Sequence, residues 1–377
     1  MLKNNQNNLY TIITISLVFS LLGGLVGGLF ANNLIDNTYL KYNNPFSGTG
    51  SLNQGNWNEN GLVIKEADNV VVEQDNKVVE IANLYKNSLV GIFVKKEIAS
   101  SSASIFATKD FYRIGEEAGQ GFIVTSDGWI VTNLTLDKPS NYVVITADKN
   151  IYAINKATKD PLTNFVFLRV EAYDFPVKEF APKNVVEAGQ MAVAVNWNGS
   201  SILTSVAKIE NEINTPLYSS DVYYTKIKLN NNLSLEKTSL VLLNLQGQVI
   251  GLVNDKNEVE PMNHFSSAIR SLLKSGEVSR PKLGLKYINL FELVGAKENK
   301  FNQGAIIYPD DLGIAVIKDS IAQKAGLLVG DIIISVDSIE LNENNILNEI
   351  ILGYEQGDKI NMVYLRKGVE GKVEIEL

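Results

Sequence analysis

Few residues in this chain could carry acid–base or nucleophilic chemistry. Its 377 residues include one histidine, His264, and no cysteine. Thiolate nucleophiles, disulfides and cysteine metal sites are therefore excluded, and a single imidazole is left to serve as a base. No H-x-x-x-H spacing or carboxylate cluster points to metal-assisted chemistry, and no pattern calls for a cofactor. His264 lies in "EPMNHFSSAI", where a surface or turn position is expected. What remains is the stretch "LSLEKTSLVLLNLQGQVIGL", 233–252, which reads as an apolar strand, a Gln-Gly turn and a second apolar strand. Lys237 and Ser239 have the types of a Ser–Lys dyad, but neighbours within one turn seldom reach the required geometry. Charged and bulky residues also stand where the turn carrying a nucleophile needs glycines.

The surrounding elements are mostly strands. "VVITAD", "FVFLRV", "MAVAV", "YYTKIKL", "LVLLNL" and "QVIGLV" are short β-type runs separated by turn residues, the signature of an all-β sandwich or barrel. In this region a helical period appears only at "HFSSAIRSLLKSGE", where Phe265, Ala268, Ile269, Leu272 and Leu273 share a face and Gly276 takes the C-cap. After Arg280-Pro281 the pattern becomes α+β. A capped short helix and a strand lie in "DSIAQKAGLLVGDIIISVDS", and an amphipathic helix presents Leu347, Ile350, Ile351 and Tyr354.

The N-terminus predicts a membrane anchor. Residues 9–31 are uncharged and mostly apolar, long enough to cross a hydrocarbon core of roughly 30 Å as a helix. Lys3 precedes the run and Asp36 is the first charge after it, so the positive-inside rule leaves 1–8 in the cytoplasm and the body outside. The length of the run and the lack of an A-x-A-like site favour an uncleaved anchor over a signal peptide. Residues 32–69, rich in Asn, Gly and Ser, predict a flexible tether. A formal charge of −8 argues against nucleic acid as a partner.

From about Val70 the chain resembles the HtrA (Deg) family, whose members carry a chymotrypsin-like double β-barrel followed by a PDZ domain and work in the cell envelope. Three stretches carry the likeness in the family's order: "GQGFIVTSDGWIVTNLTL", "DPLTNFVFLRV" and "EKTSLVLLNLQGQVIG". The resemblance implies a mostly β fold, with a trypsin-like domain over 70–278, an α+β PDZ domain over 279–377 and the N-terminal transmembrane helix ahead of both. It also implies where the chemistry should be, and those positions are substituted. Thr135 stands where the family has its catalytic histidine, Asn164 where it has the orienting aspartate and Thr238 where it has the serine. Threonine cannot act as the base, and Asn164 has no charge to hold an imidazolium. Glu236 and Lys237 open a turn that would need to aim backbone N–H groups at an oxyanion. The expectation is a pseudoprotease.

The PDZ module keeps its pattern better. By resemblance, the amides of Leu283, Gly284 and Leu285 in "RPKLGLKY" would hold a peptide's terminal carboxylate while the peptide adds a strand. Ile346, Leu347 and Ile350 would form the opposite wall. The competing reading is a PDZ domain that binds no free peptide and packs on the barrel. Partners implied are polypeptide C-termini or unfolded proteins, the cytoplasmic membrane, and copies of the chain or a relative in a homo- or hetero-trimer. An active endopeptidase with an altered centre, or an inactive subunit of a mixed oligomer, are the alternative functions.

Overall fold

The computed structural model describes residues 76–96, 111–233, 240–254, 256–294 and 302–377, all within one compact unit, Ile64–Leu377. The expected anchor over 9–31, the tether over 32–69, and the Glu236, Lys237, Thr238 and Ser239 turn lie outside the described residues. No helix among the described residues is long and apolar enough to cross a membrane.

Two closed barrels come first. In one, β1 (Leu89–Val94), β2 (Gly119–Ile123), β3 (Trp129–Thr132), β4 (Tyr142–Thr146), β5 (Ile151–Lys159) and β6 (Val166–Val170) close in the order β1-β2-β3-β6-β5-β4. In the other, β7 (Met191–Val195) and β8 (Ser201–Asn211) join β10 (Thr225–Leu229), β11 (Val241–Asn244), β12 (Val249–Val253) and β13 (Glu258–Pro261). β9 (Tyr218–Ser219), in the β8–β10 connection, belongs to neither barrel.

Period-2 alternation explains why several of these strands are apolar on both faces. Ile130 of β3 points into the first barrel, while Trp129 and Val131 pack between the barrels. In β11, Leu242 fills the second barrel while Val241 and Leu243 face the shared interior. That shared core is closed by two helices. One is Ser266–Ser275, ended by Gly276 in the left-handed conformation at φ 72°, as the sequence led us to expect. Leu273, assigned to its apolar face, is instead 58 % exposed. The other helix covers 76–85 and was not anticipated, although Val78, Ile81, Ala82 and Tyr85 follow an i, i+3, i+4, i+7 spacing. All four pack into the inter-barrel core.

The C-terminal module is an antiparallel sheet built from β14 (Lys286–Asn289), β15 (Ala305–Ile307), β16 (Ile332–Val336), β17 (Ile339–Glu340), β18 (Lys359–Arg366) and β19 (Val369–Glu376). It runs β19-β18-β16-β15-β14-β9, so its last strand is supplied by the second barrel's β8–β10 connection. A short helix, Ile321–Lys324, is N-capped by Ser320, whose hydroxyl accepts from the Gln323 amide. A longer one, Leu347–Gly353, buries Leu347, Ile351 and Leu352. Arg280 sits at the junction of all three bodies. Its guanidinium pairs with Asp160 of the first barrel through both Nε, at 3.2 Å, and Nη2, and reaches the His264 carbonyl at 2.8 Å and the Ser267 hydroxyl at 2.6 Å. The Arg280 and Asp160 side chains are 2 % and 0 % exposed.

Candidate functional site

Of the three positions expected to hold a triad, the two among the described residues, Thr135 and Asn164, are both exposed to solvent. Thr135 lies in the connection after β3, and Asn164 in the turn between β5 and β6. No hydrogen bond joins them among the described residues. Asn164 adopts φ 65°, a left-handed backbone that asparagine tolerates better than most residues. Its amide donates to the Asp160 carbonyl at 3.1 Å. The turn is pinned by the Asp160 carboxylate, which accepts from the Leu162 amide at 3.2 Å and the Thr163 hydroxyl at 2.7 Å. Local conformation thus accounts for Asn164 without a catalytic role.

His264 is not a surface residue. It lies in the 3₁₀ turn Met262–Phe265, as a turn position would have it, but is fully buried. Nδ1 lies 2.6 Å from Glu260 on β13, and Nε2 lies 3.2 Å from Glu349 on the helix Leu347–Gly353. The ring stacks on Tyr223 at 3.8 Å between centroids, 12° from parallel. Burial disfavours the charged ring, but hydrogen bonds to Glu260 and Glu349 outweigh it and raise the His264 pKa above its ordinary value. Burial pushes the Glu349 carboxyl up, yet the hydrogen bond and charge of His264, with Lys183 beside it, hold it well below the usual carboxylate range. Lys226 pairs with Glu260, and Lys183 with Glu349 at 2.9 Å. An imidazolium donating from both nitrogens has no lone pair for a proton. This cluster fastens the PDZ helix to the second barrel and cannot act as a general base in that state. The interaction was unreadable from the lone "NHF" because its partner Glu349 is 85 residues away.

The three loop amides proposed for a peptide carboxylate do converge, and each already has an acceptor. The Leu283 amide donates to Asp221 Oδ1 at 2.8 Å, and the Gly284 amide to both Asp221 oxygens at 3.1 Å. The Leu285 amide donates to the Ser220 hydroxyl at 2.9 Å, which in turn donates to Asp221 at 2.7 Å. Gly284 has φ 82°, and a Cβ there would come within 2.4 Å of Ser320 Cβ, so only glycine fits. Beyond the loop, β9 pairs antiparallel with β14, Ser219 opposite Lys286 and Tyr218 opposite Tyr287. The Ser220 amide donates to the Leu285 carbonyl at 2.9 Å.

The opposite wall differs from the expected one. Leu347 and Ile346 are buried and Ile350 is partly buried, but the polar contacts come from Asn348. Its Nδ2 donates to the Val222 carbonyl at 2.7 Å, and its Oδ1 accepts from Tyr287 Oη at 2.9 Å. Tyr223 Oη donates to the Leu352 carbonyl at 3.1 Å. Tyr218 is buried in the PDZ core, with its ring stacked on Tyr287 at 5.6 Å. The module therefore does pack on the second barrel's β8–β10 connection, through its amide loop, β14 and the helix Leu347–Gly353. Ser220, Asp221, Tyr223 and Asn348 were missed because they join segments more than sixty residues apart in sequence.

Comparison with known proteins agrees with this architecture. Residues 283–377 match the PDZ domain family. The serine protease Do-like HtrA of Lactobacillus helveticus is 26 % identical over 99 % of this chain and 98 % of its own length. A probable periplasmic serine endoprotease, DegP-like, from Marinomonas is 26 % identical over 69 % of this chain, which spans 56 % of that relative's length. Among solved structures, the HtrA-type protease AlgW with tripeptide shares the fold, with a TM-score of 0.52 and 16 % identity over 79 % of this chain and 96 % of that one. Two six-stranded barrels followed by a PDZ domain, with similarity to an HtrA relative along nearly its full length, give this chain the architecture of the HtrA/DegP serine proteases, the family it resembles throughout.

Proposed function

We propose that the chain is an HtrA-like pseudoprotease, held outside the cytoplasmic membrane by 9–31, that binds polypeptide C-termini or unfolded proteins through its PDZ domain. The observation that carries this reading is the fate of the only histidine. A Ser–His mechanism needs an imidazole free to take a proton, and His264 is committed to Glu260 and Glu349. The exposed Thr135 and Asn164 support the same reading, since neither can replace the base or its orienting carboxylate. The convergence of the Leu283 and Gly284 amides on the Asp221 carboxylate supports binding of carboxylate-ended chains. The periplasmic assignment of the DegP-like relative supports an extracytoplasmic location.

A fluorophosphonate probe tests the pseudoprotease reading, because it labels only an activated hydroxyl. The full chain should remain unlabelled under conditions that label an active HtrA-type protease. Labelling at Thr238 or Ser239 would favour an active endopeptidase with an altered centre instead. Stable co-purification of the unlabelled chain with an active relative would recast it as a subunit of a mixed oligomer.

A further inference from the structure

β9 and the residues after it reproduce, feature by feature, what an incoming peptide would do in a PDZ groove. They run antiparallel to β14, the strand that follows the amide loop. The Ser220 N–H bonds the Leu285 carbonyl, the contact a C-terminal residue makes when a chain adds as an extra strand. A carboxylate then sits on the loop amides, contributed by the Asp221 side chain rather than by a chain end. β14 is paired on its other edge with β15, so no edge of it remains open.

The geometry points to 218–221 as an internal ligand of the PDZ groove, one that must leave for an external polypeptide C-terminus to enter and that displays the ligand class the groove accepts. This rests on the peptide-binding reading above and adds its regulation and selectivity. Ser220 marks the last position, where a small hydroxyl residue is fully buried. Tyr218 marks the position two residues earlier, where an aromatic ring stacks on Tyr287. The class is a free carboxyl terminus with a small hydroxyl residue last and an aromatic residue third from the end. Because the open groove is a minority state, apparent affinity falls by the fraction of molecules in which 218–221 has left.

The chain has no cysteine, so the segment can be locked without side reactions. The full-length chain is titrated with a fluorescein-labelled peptide copying 215–220 and ending in a free carboxyl group, with the same peptide ending in an amide, and with an alanine in place of its tyrosine. Asp221→Ala should tighten binding of the free-acid peptide by about tenfold or more. The amide and the alanine peptides should each bind at least about tenfold more weakly than the free acid. Ser219→Cys with Lys286→Cys, a register pair, should abolish binding when oxidised and restore it when reduced. Equal, tight binding by the parent, Asp221→Ala and the oxidised pair would overturn the internal-ligand inference and leave peptide binding standing. No binding by any form, with Asp221→Ala melting as the parent does, would overturn the peptide-binding reading and the inference with it. Should Asp221→Ala fail to fold, oxidation and reduction of the cysteine pair decide the matter alone.

Discussion

Replacing Arg280 by methionine should loosen the whole assembly, and its magnitude follows from the contacts. The substitution keeps a long apolar stem and deletes the guanidinium, leaving the Asp160 carboxylate 0 % exposed with only the Leu162 amide and the Thr163 hydroxyl as donors. Removing one partner of a buried pair costs about 3–5 kcal/mol, because the other charge is left uncompensated. The His264 carbonyl loses a donor at 2.8 Å, adding about 1 kcal/mol at the low end for a buried acceptor. Ser267 can rotate its hydroxyl and adds little, since it already donates to the Leu352 carbonyl at 2.7 Å. A total of about 4–6 kcal/mol at roughly 2 °C per kcal/mol for a large domain lowers the melting temperature by about 8–12 °C. Scanning calorimetry of Arg280→Met, Asp160→Asn and the double variant checks this. Asp160→Asn with Arg280→Met should recover about 2–3 kcal/mol relative to the sum of the single changes. A melting temperature within about 2 °C of the parent for Arg280→Met, or strict additivity, would refute the strut.

Two further outcomes are expected. The pKa of His264 is raised on folding, so its contribution is complete below about pH 6.5 and is lost as pH rises through the folded value. Glu349 is depressed, so its share is complete above about pH 4.5 and is lost as pH falls through its folded value. Stability should therefore decline on the alkaline side, and His264→Gln should remove that decline in melting temperature measured against pH; an unchanged alkaline slope would contradict the assignment. Gly284→Ala meets both a left-handed backbone and a 2.4 Å contact with Ser320 Cβ. It should cost at least about 2 kcal/mol in urea unfolding and free the Ser220 amide to exchange with deuterium.

Much of the architecture was visible in the sequence where local pattern and fold coincide. The apolar runs at "MAVAV" and "LVLLNL" became β7 and β11 because they are buried on both faces, one side in the barrel and the other between barrels. β8 was not visible, since only Thr204 and Val206 of its eleven residues are buried and its run lacks a clear alternation. The 76–85 helix carried a readable period that short length and polar neighbours obscured. At the site, the "LGL" loop announced itself through a glycine that only a left-handed, crowded backbone requires. Its occupant did not, because Asp221 looks like any turn aspartate until the chain brings it 62 residues forward onto the Leu283 amide. His264 was misjudged for the same reason: both the burial and the raised basicity depend on Glu349, which sequence proximity cannot supply.

Prolonged incubation of the purified full-length chain with unfolded casein, read by mass spectrometry for new peptide ends, tests the central claim that the barrel retains the fold without the hydrolysis. The account predicts casein bound but intact, with the same product pattern for the parent and for Thr238→Ala. Turnover by the parent that disappears in Thr238→Ala would contradict it.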